Sequence, residues 1–380
     1  MADGAPRSGL KVTVISRPQS LTTLAPAWQE LFAASGQEIF NSPAWLLPWW
    51  QHLRGDRSVF VLVAHDSTGR ARGLLPLCLN RARIGLRLQR RLGFLGDETV
   101  GSDYLDLIAD PTWRPAVTQA FGEALVRNRE AWDLIELRDL DSESETPRRL
   151  LAAMGSGFTG TSLTGLECPC TDLDPTRPFD EFLHRTRRRD NYLRRRKWLE
   201  KQPGFDIEIY RGGAGLERSL DAFFELHALR WQADGGSAGI SGAAVEAFHR
   251  SAAAELAAAG KLRLFTLRVG EKAVASVYGL VHGATFSYYQ SGMDPEWRSR
   301  SVGLVLIGET FADALRSGLT RYDFLRGEET YKADWTNDNR QLMSWRLFPC
   351  RGRGARAVRA DAGWRAAKRA IKRFIGRRAA

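Results

Sequence analysis

Cysteine is scarce: Cys78, Cys168, Cys170 and Cys350 are the only four in 380 residues. Their irregular spacing cannot build a disulfide framework, and Cys168-Pro169-Cys170 has no second pair to complete a zinc site. The thiols read as structural, and a reducing cytoplasm is the expected home. Long apolar runs are also missing. Val59-Phe60-Val61-Leu62-Val63-Ala64 is far shorter than a membrane span, and Met1 to Pro6 shows no basic segment followed by an apolar one, so neither a spanning helix nor export is expected. Histidine is sparse as well. His227, His249 and His282 have no spacing that ties them to a nucleophile, no Ser-His-Asp or Cys-His arrangement is readable, and no metal is expected. These histidines read as surface or packing residues.

What is present is the composition of a soluble globular chain, 43% hydrophobic and 26% charged, with length enough for two domains of ordinary size. The net charge of +11 is a property of the C-terminus. From Arg351 to Ala380 there are eleven Arg or Lys against the single acid Asp361, a net of +10, so the rest is nearly balanced. A second basic cluster, Arg185 to Lys201, lies in mid-chain where Leu183, Tyr192, Leu193, Trp198 and Leu199 supply an apolar stripe at roughly helical spacing. Such density of like charge suits a solvated helix face or an approaching phosphate or carboxylate.

In the C-terminal half, Phe205 to Tyr210 alternates like a strand, and helical patterns follow over Leu216 to Gln232 and Gly242 to Ala259. Three strands, Leu262 to Val269, Ala273 to Val281 and Thr285 to Ser291, read as an antiparallel meander. A helix over Val302 to Arg316, a strand over Tyr322 to Leu325 and a final strand over Leu342 to Phe348 complete it. The N-terminal half repeats the order. Strands are read at Lys11 to Ile15, Val59 to Ala64, Leu74 to Leu79, Tyr104 to Ile108, Asp133 to Leu137 and Thr159 to Leu173, with helices at Leu24 to Ala34, Ala44 to Leu53, Arg114 to Arg127 and Glu145 to Ala153. The expected class is α/β (α+β): two copies of one fold in tandem, each a mixed, mainly antiparallel sheet flanked by helices, in preference to one large sheet. The copies are expected at 1–175 and 205–350, joined by a basic helix at 176–204 and followed by a basic tail at 351–380.

The stretch Arg321 to Trp335 concentrates chemistry. A short strand breaks at Gly327 into carboxylates, a tyrosine, a lysine and a tryptophan, and groups at a strand end are held firmly beside a loop that leaves room for a ligand. Glu328 and Glu329 alone would suit a solvated turn; Tyr331, Lys332 and Trp335 point to a site. Twelve tryptophans also suit stacking on sugar rings, although Trp45, Trp49 and Trp50 read first as helix-packing residues.

The element order resembles the GNAT acyltransferase fold. Four segments carry a closer resemblance to the tandem-GNAT proteins associated with cellulose biosynthesis (CelD/BcsL-type acetyltransferases): Phe40 to Trp45 with Trp49, Gly93 to Gly96 followed by Ser102 to Asp106, the Leu193 to Leu199 basic helix, and Asp323 to Gly327 with Tyr331, Lys332 and Trp335. A similar pattern occurs in Fem-type transferases, which move amino acids from aminoacyl-tRNA. The resemblance implies acetyl-CoA or another acyl-CoA as co-substrate, its pyrophosphate on amides at the start of the Val302 helix. Arg298, Arg300, Ser301, Val302, Gly303 and Tyr288 are the expected donor-binding residues. Arg300-x-x-Gly303 matches half of the family's R/Q-x-x-G-x-G/A pattern; Val305 stands where the last Gly or Ala is expected, and is expected to crowd a phosphate. For direct transfer, Tyr331 is the expected proton donor to the leaving thiolate with Tyr289 in reserve, Asp323 or Glu328 the base, and Lys332 an electrostatic stabiliser. Arg230, Trp231, Arg326 and Trp335 are the expected contacts to a small-molecule or saccharide acceptor.

The tail places Ala360, Trp364, Ala367, Ile371, Phe374 and Ile375 at spacings of three and four among basic residues. Over 355–378 this suits a helix in peripheral contact with an anionic membrane, at the inner face, or one docked on its own domain. Nucleic acid is expected only as tRNA, in the Fem-type alternative. A rival class is a non-catalytic binding or scaffold protein for polysaccharide synthesis.

Overall fold

The protein is described here from a computed structural model covering residues 9–84, 87–97, 99–233, 240–327 and 329–362. The first half runs β1 (Lys11–Ile15), α1 (Gln19–Ser35), α2 (Pro43–Leu53), β2 (Ser58–His65), β3 (Ala71–Ile84), β4 (Arg87–Phe94), β5 (Ile108–Ala109), α3 (Arg114–Arg127), β6 (Leu134–Asp141), α4 (Thr146–Met154) and β7 (Phe158–Asp172). Two short helices, α5 (Phe179–His184) and α6 (Arg189–Leu199), lead to the second half. This comprises β8 (Asp206–Tyr210), α7 (Leu216–Ala233), α8 (Ala243–Ala258), β9 (Leu262–Val269), β10 (Lys272–His282), β11 (Thr285–Met293), α9 (Val302–Arg316), β12 (Arg321–Asp323) and β13 (Asp338–Pro349). The punctuation is local. Pro43 opens α2, where a missing N–H costs nothing, and Gly36 closes α1 in the left-handed conformation that a side chain would resist.

All the strands join one sheet in the order β1-β2-β3-β4-β6-β13-β7-β12-β11-β10-β9-β8, with β5 beside β3. The order reads alike from either edge: a four-stranded antiparallel meander, a parallel step (β4 to β6, or β11 to β12), then the last strand of the other half. β13 lies against β6, β7 lies against β12, and the two exchanged strands pair along Pro349–Phe158 to Asp338–Cys170. The duplicated fold is therefore present, but the expectation of separate sheets is corrected: reciprocal exchange of the last strands fuses them.

Three readings of the sequence change. The strand β4 was missed because its alternation, Arg87-Leu88-Gln89-Arg90-Arg91-Leu92, is disguised by arginines. The run Tyr104 to Ile108 contributes only its end to a strand, β5. The connecting helix is two helices, and α6 docks on α9 by Tyr192 against Gly308 and by Tyr192 and Arg196 on Glu309, each at 2.7 Å. On the opposite face of the sheet α2 meets α8, with the Trp45 and Phe248 rings edge to face at 4.9 Å.

Residues 353–362 are helical and dock on the protein itself. Ala355, Ala357 and Val358 pack with Ile84, Leu134 and Phe348, and Asp361 pairs with Arg346 at 2.6 Å. Ala360, expected on the apolar side, is exposed. Trp364, Ala367, Ile371, Phe374 and Ile375 lie outside the described residues.

Candidate active site

The parallel pair β11 and β12 stays in register only from Thr285–Arg321 to Ser287–Asp323. Beyond that, β11 carries a bulge where its register with β10 slips between Tyr278–Gln290 and Gly279–Tyr288, and a bulge bends and twists its strand. β12 simply stops, and Leu325 turns away with φ of 56°. The strands splay, and a cavity of about 260 Å³ opens in the gap. The start of α9 forms one wall through Ser301, Gly303 and Leu304, while Tyr288 and Ser291 of β11 form another.

That helix start suits an anion. Ser301 sits at φ 59° and gives the helix no side-chain cap, so the first-turn amides, which have no acceptor inside the helix, face the cavity. Arg298 lines the same end, and Arg300 lies 4.5 Å over the Trp198 ring beside it. The expected crowding by Val305 does not occur, because its side chain is buried in the core with Val302 and Leu306. Arg188 and Asn191 of the basic segment complete the mouth, with Arg188 anchored on Asp334 at 2.8 Å.

Deeper in, Ser276 Oγ and Trp335 Nε1 are buried, have no hydrogen-bond partner among the described residues, and belong to residues of the cavity wall. Orphaned polar atoms of this kind favour a ligand that carries its own polar groups, as an amide-bearing thioester arm does. The bulged edge of β11 offers an extended ligand a strand to pair with. Tyr331 and Tyr288 face the cavity with their hydroxyls within hydrogen-bonding reach of each other. Burial pushes both phenols above their ordinary range, so both remain protonated. Arg230 donates to Ser291 Oγ at 2.7 Å and brings a positive charge to the same end.

The remaining expected residues are distributed otherwise. Trp231 does not line this cavity and donates its indole N–H to His227 Nε2 at 2.8 Å. Lys332 is buried, donates to Arg326 O at 2.9 Å and pairs with Glu329 at 2.9 Å, bracing the loop instead of facing a substrate. Glu328 lies outside the described residues. Asp323 and Tyr289 are corrected outright, since strand alternation points both to the far face of the sheet. Asp323 accepts from Tyr104 Oη at 2.9 Å and Leu325 N at 2.7 Å, and Tyr289 donates to Val100 O at 2.5 Å.

On that far face lies a second cavity of about 200 Å³, lined by Asp103, Val100, His249, Tyr289, Gln290 and Arg326 among others. Tyr289 and Gln290 lie between Tyr288 and Ser291 of the first cavity, so the splayed segment of β11 is a wall common to both. Arg326 pairs with Asp103, which also accepts from Arg326 N at 2.9 Å. Asp103 is fully buried, which raises its pKa against the pull of Arg326. Its motif, Ser102-Asp103-Tyr104, stood out in the sequence without a role. No motif marks Ser276 or His249, which sit in the apolar middle of β10 and in the alanine-rich α8. His227 and His249 are buried, not surface, residues.

Residues 186–333 match the acetyltransferase (GNAT) domain family. Among solved structures, FemX is similar with a TM-score of 0.55 at 11% identity, over 88% of this chain and 96% of that one. A protein of unknown function from Bacteroides thetaiotaomicron gives 0.55 at 12% identity, over 88% and 100%. L-PGS from Bacillus licheniformis gives 0.53 at 14% identity, over 93% and 96%. These likenesses establish the fold. The comparison with curated proteins gives no match. Among the described residues no helix is long and apolar enough to cross a membrane.

Proposed function

We propose that the chain is an acyl-CoA-dependent acyltransferase that holds its donor in the cavity beneath α9 and receives the acceptor amine or hydroxyl from the far-face cavity. The observation that carries this reading is the pair of cavities meeting at one splayed, bulged strand within a GNAT-matching segment. Acyl-CoA would supply an activated acyl thioester; the chain supplies placement and protons. The uncapped α9 start with Arg298 holds phosphate, while Ser276 Oγ and Trp335 Nε1 satisfy the arm. In the transfer a bond forms from acceptor nitrogen or oxygen to the acyl carbon, and the carbon–sulfur bond breaks. Tyr331 Oη is placed to give sulfur its proton; although burial weakens this phenol as an acid, a thiolate in the same enclosed site is equally short of water and correspondingly basic. Asp103 is the one carboxylate among the described residues of the second cavity's wall, and burial makes it a stronger base for the acceptor's proton.

The acceptor class, a saccharide or other cell-envelope precursor as in the cellulose-associated family, rests on the four resembling sequence segments, and a place at the inner face of the membrane rests on the basic pattern of the tail over 355–378. A Fem-type reading draws on the arginines around the mouth, which suit an RNA backbone as well as a nucleotide phosphate. Calorimetry with CoA, acetyl-CoA and aminoacyl-tRNA separates them. Micromolar binding of CoA is expected; binding of aminoacyl-tRNA alone would establish the Fem-type reading, and binding of none would leave a scaffold.

A further inference from the structure

His249 is fully buried on α8, boxed in by Trp45, Phe248, Tyr278 and Tyr289 at ring distances of 4.8 to 6.1 Å. Neither of its ring nitrogens has a hydrogen-bond partner among the described residues, yet it lines the second cavity. Phenylalanine would fill this aromatic box without stranding two polar atoms, so packing alone does not account for an imidazole here. The rest of the wall narrows what the imidazole faces. Val100, Ile240, Val245 and Leu325 are apolar, Thr99 and Gln290 are uncharged, Tyr289 is engaged by Val100 O, and Asp103 pairs with Arg326, which also pairs with Asp139 at 2.9 Å.

We propose that His249 makes this cavity a site for an uncharged, hydroxyl-bearing acceptor, a polyol or a single sugar ring, held by a hydrogen bond between a hydroxyl and the imidazole. This rests on the acyltransferase reading and narrows its acceptor. An alcohol both donates and accepts, so it satisfies either tautomer of a neutral imidazole; an ammonium only donates, so it can serve only the unprotonated ring nitrogen. The imidazole is neutral because burial, with His227 nearby, pushes its pKa down to about 3. So weak a base orients the hydroxyl and leaves proton removal to another group, which makes His249 a specificity-determining residue.

The test is His249→Phe in the full chain, with methyl glucoside and glucosamine as probes and acetyl-CoA as donor. The expected result has three parts: a melting temperature equal to or above that of the wild type, CoA affinity within about twofold, and kcat/KM for acetyl transfer to methyl glucoside reduced at least about tenfold. Should the phenylalanine variant fail to fold, Val245→Phe, which fills the same cavity from α8, is expected to show the same split. The inference is overturned if either folded variant uses methyl glucoside as well as the wild type, if the wild type acetylates only the amine of glucosamine, or if it uses neither probe while binding CoA. Failure of the wild type to bind CoA would instead overturn the acyltransferase reading, and this inference with it.

Discussion

The two halves make the same splay and use it differently. In the second half β11 and β12 part around a cavity beneath the uncapped start of α9. In the first half β4 and β6 pair only at Arg91–Leu134 and Leu92–Ile135, and the corresponding space is filled by the buried Arg91 guanidinium, 3.3 Å from Asp97 and 3.0 Å from Glu136. Arg346 on the exchanged strand β13 completes the plug at 2.7 Å from Glu136. The start of α3 also differs from that of α9. Asp110 already accepts from Thr112 N at 2.9 Å, places a negative charge where an anion would come, and is followed by a proline without an N–H. A duplicated fold needs only one opened splay, and the other copy can turn the same weak point into a clamp between halves.

The sharpest way to break this comparison is to pull the plug. Arg91→Met leaves Glu136 and Asp97 buried with less compensation, a change that typically costs about 3–5 kcal/mol. Urea denaturation is expected to show that loss while CoA affinity stays within about twofold. A variant as stable as the wild type, or a complex with CoA lodged at Asp110 to Trp113, would mean that the first half is no mere clamp. Next comes Tyr331→Phe, which leaves the fold intact but removes the proton donor. Its kcat is expected to fall about 10²-fold with the donor's dissociation constant nearly unchanged. An unaltered kcat would reduce Tyr331 to a packing residue.

Much of this contrast was legible in the sequence. Apolar periodicity locates every described helix except the start of α1 and the division of the basic connector, and Arg-x-x-Gly with Tyr288 marks the α9 start as a donor site, whereas Arg230 and Trp335, expected to contact the acceptor, line that same first cavity. What escaped depends on facing and pairing. Period-two alternation shows that Tyr288 and Tyr289 point to opposite faces, but not which face holds which ligand, so Asp323 and Tyr289 were assigned to the wrong side. The exchange of β7 and β13 was hidden because each strand looks the same whichever copy it pairs with. Asp103 and His249 become site residues only when the first half closes over the far face of the second.

The comparison extends to a carboxylate on each half's parallel-step strand. Burial would raise Glu136, but Arg138, Arg346 and Arg91 pull it down to about 2. Burial raises Asp323 to about 6, with Glu38 adding to the rise against Arg340. The signs are opposite. The stabilisation from Glu136 is present above its unfolded pKa and is lost as pH falls toward 2. Folded Asp323 keeps a proton that the unfolded chain releases, so its contribution is present near pH 4 and is lost as pH rises through about 6. Asp323→Asn is therefore expected to lose about 2–3 kcal/mol less stability than the wild type between pH 4 and 7, whatever its cost at a single pH. Parallel stability curves from urea denaturation at those two values would show that Asp323 holds no proton.

The smallest expected effect concerns a difference at the chain's end, where the second half continues into the basic tail. A truncation after Pro349 would be a poor probe of membrane contact, because it also strips Ala355, Ala357 and Val358 from Ile84 and Phe348 and unpairs Arg346 from Asp361. Ending the chain at Ala362 keeps that docked helix and removes Arg365, Lys368, Arg369, Lys372, Arg373, Arg377 and Arg378 with Trp364 and Phe374. Each basic residue close to an anionic leaflet contributes about 1 kcal/mol, much of it screened by salt and offset by the cost of ordering the segment. Binding to phosphatidylglycerol vesicles at physiological salt is therefore expected to weaken about tenfold in sedimentation, with melting temperature and CoA affinity unchanged. Equal sedimentation of the full and shortened chains would assign the tail's charge to solubility instead of membrane contact.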